Sequence, residues 1–586
     1  MLSIPKKSCI IMIDYPVVKK LAVIGAGPAA LYLLKTLLTG RENHFTVDIF
    51  EARSTAGNGF PYGRDGAAKE HITNVSGNEI PELVTSTRQW LHTLTAATLD
   101  EYGINPVTFS EYQVFPRLLF GQYLKAQFDL LLARAAERGI VVKLQLNTRV
   151  TALEELPGRQ GIQVTAGDGP PCCFDNVIVC TGHLWPTPHE GRLKGYFDSP
   201  YPPSKIAGPF NHPVAIKGSS LTAIDAIRTL ASHHGVFSRD ATGRLLFTAH
   251  AGCSDFSIVM YSLKGLLPGI RFHLEDSHLS ADDLLRQDAI DANREANGGF
   301  LSLDFVFDSD FKEPMRKSDP DFYDHIKDMN LETFVAEMME IRERADPFAL
   351  LRAELKEAEL SIRRRQSVHW KEKLSILSFA MNYPAKHFSA EDRIRLQEVL
   401  MPLISLIIAF IPQDSCEELL ALRDAGRLSL VPVERDSHAT PKPGGGITYA
   451  YRDAGGAGCT AAYETFIDCT GQPHLSIDDF PFRALVESGT VSQATLRFRT
   501  NAAAMTCMAK DAGNVIKTAS GGYLLKVPGL AITDCFNAVG TDGGSNPRLY
   551  LLCVPFLGGY NPDYSGLDFC EAAAGRVVND IFGQAD

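Results

Sequence analysis

The chain has 586 residues, of which 45% are apolar and 22% charged, and its formal net charge is −12. This length exceeds what one hydrophobic core sustains, so two or three domains are expected. The negative charge argues against nucleic acid as a partner. The longest apolar run, residues 403–411, lies between Pro402 and Pro412 and is too short to span a bilayer.

Twelve cysteines are scattered without CxxC, CxxxxC or zinc-type spacing. This pattern predicts a reduced, cytoplasmic protein with free thiols and no bound metal. We predict an amino-terminal extension over residues 1–18. Its apolar run, residues 9–13, is too short for the core of a signal peptide.

A strand, a glycine turn, a helix and a second strand follow one another between residues 20 and 51. Gly25 allows the tight turn, Gly27 allows a pyrophosphate to approach the backbone, and the small Ala30 lets the helix pack on the strand. Glu51 ends the second strand, where its carboxylate would accept hydrogen bonds from ribose hydroxyls. The alternative is an ordinary turn with a chance acid. This order of elements predicts a bound dinucleotide, FAD or NAD, with phosphates on the helix N-terminus formed by Gly25, Ala26, Gly27, Pro28, Ala29 and Ala30.

The segment 71–81 alternates polar and apolar residues and is either a surface loop or a loop lying over the cofactor ring. His71 and Asn74 are the candidate catalytic residues within it. Arg117 stands at the start of a predicted helix, where a cation gains nothing from the helix dipole. It is either a plain surface residue or the partner of an anion such as a phosphate or a carboxylate, and we count it among the candidate cofactor contacts.

A second, weaker fingerprint follows a strand at residues 214–217. Gly218, Ser220 and Ala223 stand where GxGxxA would place its small residues, and serine still allows a fairly close approach. We therefore expect a second nucleotide on Gly218, Ser219, Ser220, Leu221 and Thr222.

Two strands end in the same Cys-Thr-Gly phrase, at residues 180–182 and 469–471. They bracket the middle of the chain, which suggests that the chain leaves the first domain at one phrase and re-enters it at the other. We expect Thr181 and Gly182 to contact the first cofactor. Between them, residues 275–425 have helical periodicity and form a predicted helical insert.

Near the carboxyl terminus, a strand is followed by Gly540 and Asp542, an acid that could accept from polyol hydroxyls. A closing helix begins at about Gly566. We expect its N-terminus to point at the cofactor; a plain closing helix is the alternative.

These motifs resemble two-dinucleotide-domain flavoproteins, the flavin-containing and N-hydroxylating monooxygenases. The phrases HITNVSGN (71–78), FPRLLFGQYL (115–124) and IKGSSLTAID (216–225) are similar to the FAD–NAD(P)-binding family that includes nitrosuccinate-forming amino-acid N-monooxygenases. The resemblance covers about residues 20–230 and 460–586 and is thin over the helical middle. It implies FAD on the first fingerprint, NADPH or NADH on the second, and Gly540 and Asp542 beside the ribityl chain.

We therefore predict an α/β chain with two Rossmann-like domains. The expected function is an NAD(P)H-dependent FAD monooxygenase that uses O2 to hydroxylate a small substrate, such as an amine or amino-acid nitrogen. A disulfide-type flavoprotein reductase is disfavoured by the missing cysteine pairs, and a flavin-binding redox sensor or assembly protein is the alternative. The predicted boundaries are an FAD domain (19–182 and 468–586), an NAD(P) domain (183–274 and 426–467) and the insert (275–425).

Overall fold

The computed structural model describes residues 18–274, 285–453, 455–563 and 566–583. Apart from Val18, the predicted amino-terminal extension lies outside the described residues. The strands are β1 Lys19–Ile24, β2 Phe45–Phe50, β3 Ile72–Ser76, β4 Val114–Pro116, β5 Val141–Gln145, β6 Val150–Glu155, β7 Ile162–Ala166, β8 Cys172–Phe174, β9 Asn176–Val179, β10 Tyr196–Phe197, β11 Pro213–Lys217, β12 Gly235–Arg239, β13 Leu245–Ala249, β14 Ser257–Leu263, β15 Leu428–Val433, β16 His438–Pro441, β17 Ile447–Arg452, β18 Gly458–Tyr463, β19 Thr465–Asp468, β20 Gln493–Arg497, β21 Val515–Lys517, β22 Tyr523–Leu530, β23 Asn537–Val539 and β24 Ser545–Leu551.

The helices alternate with the strands in each sheet domain and are consecutive in the middle of the chain. They are α1 Pro28–Thr39, α2 Thr87–Leu91, α3 Ala96–Glu101, α4 Arg117–Glu137, α5 Leu221–His234, α6 Gln287–Ala296, α7 Leu303–Phe307, α8 Glu313–Ser318, α9 Pro320–Ile326, α10 Leu331–Arg344, α11 Pro347–Arg364, α12 His369–Ala380, α13 Ala390–Arg395, α14 Met401–Ile407, α15 Gln413–Asp424, α16 Arg483–Glu487, α17 Asn501–Lys510 and α18 Leu567–Phe582.

The first domain is built on a six-stranded sheet in the order β23-β24-β9-β1-β2-β5. All neighbouring strands are parallel except the hairpin of β23 and β24. In the inner strands, residues 21–24 of β1 and 177–179 of β9 are apolar and buried, as expected of a parallel sheet covered on both faces. Helices α1, α4 and α18 contribute buried side chains to the same core.

The second domain repeats this plan with a five-stranded, fully parallel sheet in the order β10-β19-β11-β14-β15. In each domain a three-stranded antiparallel meander, β6 to β8 or β16 to β18, precedes the strand that ends in Cys-Thr-Gly. The predicted fold class, two Rossmann-like domains with a helical insert, is confirmed.

The helices of the predicted insert, residues 275–425, belong to more than one core. Helices α6 to α10, α12 and α14 contribute buried side chains to a core of their own. By contrast, α11 and α15 pack against the second sheet, with Phe348, Leu351 and Cys416 in its core. The predicted domain boundaries stay predictions.

The two segments that connect the domains run side by side. The side chain of Gln472 accepts a hydrogen bond from Leu184 N at 3.0 Å and donates one to the carbonyl oxygen of Leu184. The indole of Trp185 donates to the carbonyl oxygen of Gly471 at 3.3 Å. Over the residues that the structure describes, no helix is both long and apolar enough to cross a membrane.

Candidate functional site

A cavity of about 990 Å³ lies along the carboxyl ends of the first sheet. Its lining includes residues just beyond β5, β2, β1, β9 and β24, namely Thr148, Glu51, Gly25, Cys180 and Leu552. Neighbouring strands are about 4.8 Å apart, so these five strand ends extend over about 19 Å. Ligands of open α/β sheets bind at this edge, and the volume is at the upper end of ordinary small-molecule pockets.

The first glycine turn has the geometry that a bound pyrophosphate requires. Gly25 has φ +102°, and a Cβ there would overlap the carbonyl oxygen of Cys180. Gly27 is the N-cap of α1, whose first turn carries neither a side-chain cap nor an acid. The helix N-terminus is thus open to an anion, with Gly25, Gly27, Pro28 and Ala29 in the cavity wall. Ala30 is buried where the helix packs on the sheet.

Glu51 lies at the carboxyl end of β2 and is 94% buried in the same wall. Its Oε2 accepts a hydrogen bond from Ala26 N at 2.8 Å, and its Oε1 accepts one from Arg53 N at 2.8 Å. The carboxylate is therefore fixed beside the glycine turn, as a ribose acceptor must be.

The second glycine turn reproduces the first in detail. Gly218 has φ +113°, and a Cβ there would lie 2.5 Å from the carbonyl oxygen of Cys469. Ser220 is the N-cap of α5, which again has no side-chain cap and no acid in its first turn. Ser220 and Leu221 line the cavity, so both turns face one space. The degenerate motif therefore keeps the backbone of a dinucleotide turn.

A residue that sequence reasoning missed, Ser262, occupies the place of Glu51 in the second domain. The register pairs Ile24 with Phe50 and Lys217 with Tyr261, so Glu51 and Ser262 follow equivalent positions. The hydroxyl of Ser262 is hydrogen-bonded to Ser219 Oγ at 2.8 Å. An aligned pair of strands was the signal needed to find it, because the residue itself belongs to no motif.

His71 and Arg117 lie apart from the cavity lining and join the two domains. Arg117 makes a two-pronged ion pair with Asp225 of α5, with N–O distances of 2.5 and 3.0 Å. The hydroxyl of Tyr201 donates to the same carboxylate at 2.7 Å. Burial would raise the pKa of Asp225, but Arg117 and the other groups around the carboxylate together outweigh burial and hold that pKa below its usual value. The anion beside Arg117 is therefore a carboxylate of the protein.

The imidazole of His71 is enclosed by protein groups. Its Nε2 lies 2.9 Å from Thr229 Oγ1 and 3.1 Å from the carbonyl oxygen of Asp225, and its Nδ1 accepts from Ala68 N at 3.2 Å. Burial lowers the pKa of His71 and keeps the ring neutral. A catalytic role for His71 stays a prediction that this setting does not favour.

The loop around Asn74 does border the cavity, together with Val75, Glu79 and Ile80. Arg271 binds two residues of this loop. Its guanidinium donates to the carbonyl oxygen of Asn74 at 2.6 Å and forms a buried ion pair with Glu79. Of the two expectations for this loop, the position over a cofactor space is the one that matches its placement.

The positions of Gly540 and Asp542 contradict the expectation, drawn from the resemblance, that these residues lie beside the ribityl chain of FAD. They lie in the hairpin turn between β23 and β24, where Gly540 N donates to the carbonyl oxygen of Gly544. That turn precedes β24, so it is at the amino edge of the parallel sheet. The cavity is at the opposite, carboxyl edge, and the β24 end of its wall is formed by Leu552 and Val554.

The closing helix α18 begins at the cavity, and the expectation that its N-terminus points at a cofactor stays a prediction. Gly566, Leu567 and Asp568 line the wall at its N-terminus. Burial raises the pKa of Asp568 to about 7, and the nearby Glu79 adds to this effect. Thr181 and Gly182 also line the cavity. Thr222, the residue after Leu221, lies outside the lining.

Two parts of the sequence match known protein families. Residues 22–184 match the family described as FAD-NAD(P)-binding, and residues 286–408 match the family described as the YdhS-like middle domain. The uncharacterized protein YdhS of Escherichia coli (strain K12) is 28% identical over 475 residues, which is 80% of this chain and 86% of that protein. The first match confirms the expected class of cofactors, FAD with NAD(P)H.

Solved structures of similar shape include the ornithine N-hydroxylase of Kutzneria sp. 744, with 12% identity and a TM-score of 0.48 over 97% of this chain and 99% of that one. The L-lysine 6-monooxygenase of Pseudomonas syringae has 12% identity and a TM-score of 0.44, over 96% and 99% of the two chains. Both likenesses are remote.

Proposed function

We propose, from the FAD-NAD(P)-binding match over residues 22–184, that the chain is an FAD-dependent NAD(P)H oxidoreductase. Its reaction would be a monooxygenation, the hydroxylation of a small substrate such as an amine or amino-acid nitrogen. One observation carries the proposal: a cavity of about 990 Å³ is bordered by Gly25 and Gly27 of the first turn, by Ser220 and Leu221 of the second, and by the helical insert.

The first turn would hold FAD in a fixed direction. The N-terminus of α1 would hold the pyrophosphate and Glu51 would accept from the ribose of the adenosine. Leu552 and the N-terminus of α18 would border the isoalloxazine. When bound there, FAD supplies hydride acceptance and reaction with O2.

The second turn would hold NADPH in preference to NADH. A carboxylate at the end of the second strand binds the ribose diol and repels a 2′-phosphate. Ser262 stands at that position and carries no charge, so the 2′-phosphate is admitted. Lys264 follows nearby, although it is also paired with Glu343 at 2.9 Å.

The overall reaction balances with the two cofactors and O2. One amine, one O2, one NADPH and one proton give one hydroxylamine, one water and one NADP⁺. The protein has to exclude bulk water during the reaction, because water in the site favours the release of reduced oxygen species before the substrate is hydroxylated. The insert, which lines the cavity with Phe379 and Ile408, would provide that cover.

Spectra of the purified protein test the proposal. Flavin absorbance that bleaches with NADPH under anaerobic conditions and returns with air would support it. If NADPH cannot reduce the flavin, the second turn has only a structural role, and a redox sensor or assembly protein becomes the favoured function.

A glycine variant tests the binding site itself. A Cβ on Gly27 would lie 3.4 Å from Gly59 Cα, which is an ordinary contact, so Gly27→Val is expected to fold. The valine methyl groups would occupy the space of the pyrophosphate, and the protein should purify colourless. A yellow variant with full flavin content would show that the turn does not bind FAD.

A further inference from the structure

The cavity has two chemically different ends. At the end beyond β2 and β5, the basic residues Arg53 and Arg149 line the wall. Arg53 is also paired with Asp65, with an N–O distance of 2.8 Å. This is the end where Glu51 would bind the adenosine ribose.

The insert closes the other end with one face of a helix. Met401, Ile404, Ser405 and Ile408 line the cavity, and their spacing of i, i+3, i+4 and i+7 puts them on a single stripe of α14 and its end. Ser375 and Phe379, one turn apart on α12, extend this surface. Apart from two hydroxyls, the insert thus presents only apolar side chains to the cavity.

Contacts with the carboxyl-terminal segment fix where this surface lies. The amide of Asn382 exchanges two hydrogen bonds of 3.0 Å with the backbone of Asp563. Tyr383 stacks on Phe569 of α18, with ring centroids 6.0 Å apart. These contacts place the end of α12 beside the N-terminus of α18, the end that would border the isoalloxazine, and the apolar stripe of α14 lines the same cavity.

The charged groups at this end are acids. Asp563 and Asp568 line the wall, and the described lining residues contributed by the insert and by 552–570 include no lysine, arginine or histidine. Arg271 is close to the loop at Asn74, but its guanidinium is already bound to Glu79, Ser76 and a backbone carbonyl. A carboxylate entering this end would find no basic side chain among those lining residues, and the carboxylates of Asp563 and Asp568 would repel it.

We propose that this end binds an apolar amine without a carboxylate group, with its hydrocarbon part on the α14 stripe and its nitrogen at Asp568. The inference rests on the proposed function and narrows its substrate: free amino acids are excluded. The half-buried carboxylate of Asp568 pairs with the ammonium group and holds the nitrogen at this end of the cavity. Ser405, at the exposed edge of the stripe, is a specificity-determining position.

Two probe molecules of equal length isolate the carboxylate. Hexylamine and 6-aminohexanoate differ only in a terminal methyl group or carboxylate. Binding to the FAD-loaded protein is measured by titration calorimetry at about pH 8, where an alkylammonium group is charged. We expect hexylamine to bind at least tenfold more tightly than 6-aminohexanoate; equal or reversed affinities would overturn the inference.

Variants then test the two assigned residues. Asp568→Asn should weaken hexylamine at least tenfold and leave hexan-1-ol unchanged. Glu571→Gln, on the same helix but paired with Lys35 outside the cavity lining, is the matched control and should bind hexylamine as the parent does. Ser405→Lys should raise the affinity for 6-aminohexanoate at least tenfold.

The outcomes separate this inference from the proposed function. Calorimetry reports binding without turnover, and bleaching by NADPH is measured on the same samples. Bleaching with no preference for hexylamine, or an Asp568→Asn variant that binds it normally, refutes the amine site and leaves the oxidoreductase standing. Failure to bleach refutes the oxidoreductase whatever the probes do.

Discussion

The two glycine turns offer a matched pair of substitutions, Gly25→Ala and Gly218→Ala. Each residue has φ above +100°, and each new Cβ would clash with a backbone carbonyl, that of Cys180 or Cys469. Because Cβ atoms essentially never come within 3.0 Å of such atoms, the turn must move by about half an ångström or more. Strained φ costs about 1–3 kcal/mol and overpacking about the same again.

A cost of about 2–6 kcal/mol leaves many domains folded, but it displaces the N–H groups that hold a phosphate. We expect Gly25→Ala to lose most of its FAD. Gly218→Ala should keep FAD and be reduced by NADPH at least a hundredfold more slowly. The assays are flavin content after gel filtration and anaerobic stopped-flow reduction, with urea unfolding to measure stability.

The control is Gly243→Ala, which has φ +85° but no heavy atom within 4 Å of its new Cβ. It carries the conformational strain alone, at a turn remote from both fingerprints, and should keep flavin and reduction rate. The reasoning is refuted if Gly25→Ala retains full FAD, or if Gly218→Ala is reduced at the parent rate.

Three further predictions concern charge. Ser262→Asp should lower kcat/KM for NADPH relative to NADH at least tenfold, because the new carboxylate repels the 2′-phosphate; steady-state kinetics with both coenzymes measures it. Arg117→Ala should lower the free energy of unfolding by about 3–5 kcal/mol, because it leaves the buried carboxylate of Asp225 without its ion-pair partner. Adding Asp225→Leu should recover part of this loss. Urea titrations of the single and double variants measure both effects, and simple additivity of the two substitutions would refute a stabilising ion pair. Burial raises the pKa of Asp568 from 3.8, its value in the unfolded chain, to about 7 in the folded protein. Between these two pH values the folded state binds a proton that the unfolded state has lost. The free energy of unfolding therefore falls as the pH rises from about 4 to about 7. The fall should amount to about 2–4 kcal/mol and be absent from Asp568→Asn in unfolding measured from about pH 4 to pH 8.

The first fingerprint could be predicted from sequence because each of its requirements is local. A tight turn at Gly25, close approach at Gly27 and packing at Ala30 all depend on neighbours within one strand–turn–helix unit. The second turn was predictable for the same reason, even with Ser220 in place of glycine.

Gly540 and Asp542 show where such reasoning stops. A strand followed by glycine and aspartate looks the same at either edge of a sheet. Only the pairing of β24 with β9, which brings together residues more than 350 positions apart, places this turn at the amino edge. The partner of Arg117 was equally out of reach, because Asp225 lies 108 residues further along the chain.

The extent of the insert depended on packing as well. Helices α11 and α15 have the same amphipathic periodicity as their neighbours, so no sequence signal separates them. Which core they cover is decided by contacts with the second sheet. The cavity-facing stripe of α14 was likewise hidden in an apolar run that predicted only a buried helix.

The order of the strands has a consequence for biosynthesis. The second sheet is complete once β19 has been made, whereas the first sheet lacks β24 until residue 551 leaves the ribosome. Domains fold as units during synthesis, so the inner domain is expected to close first. The edge of β9 therefore stays uncovered while the ribosome adds nearly four hundred further residues, from the end of β9 at Val179 to the end of β24 at Leu551. In that interval the uncovered β9 edge is expected to be a site where the incomplete sheet aggregates or binds a chaperone.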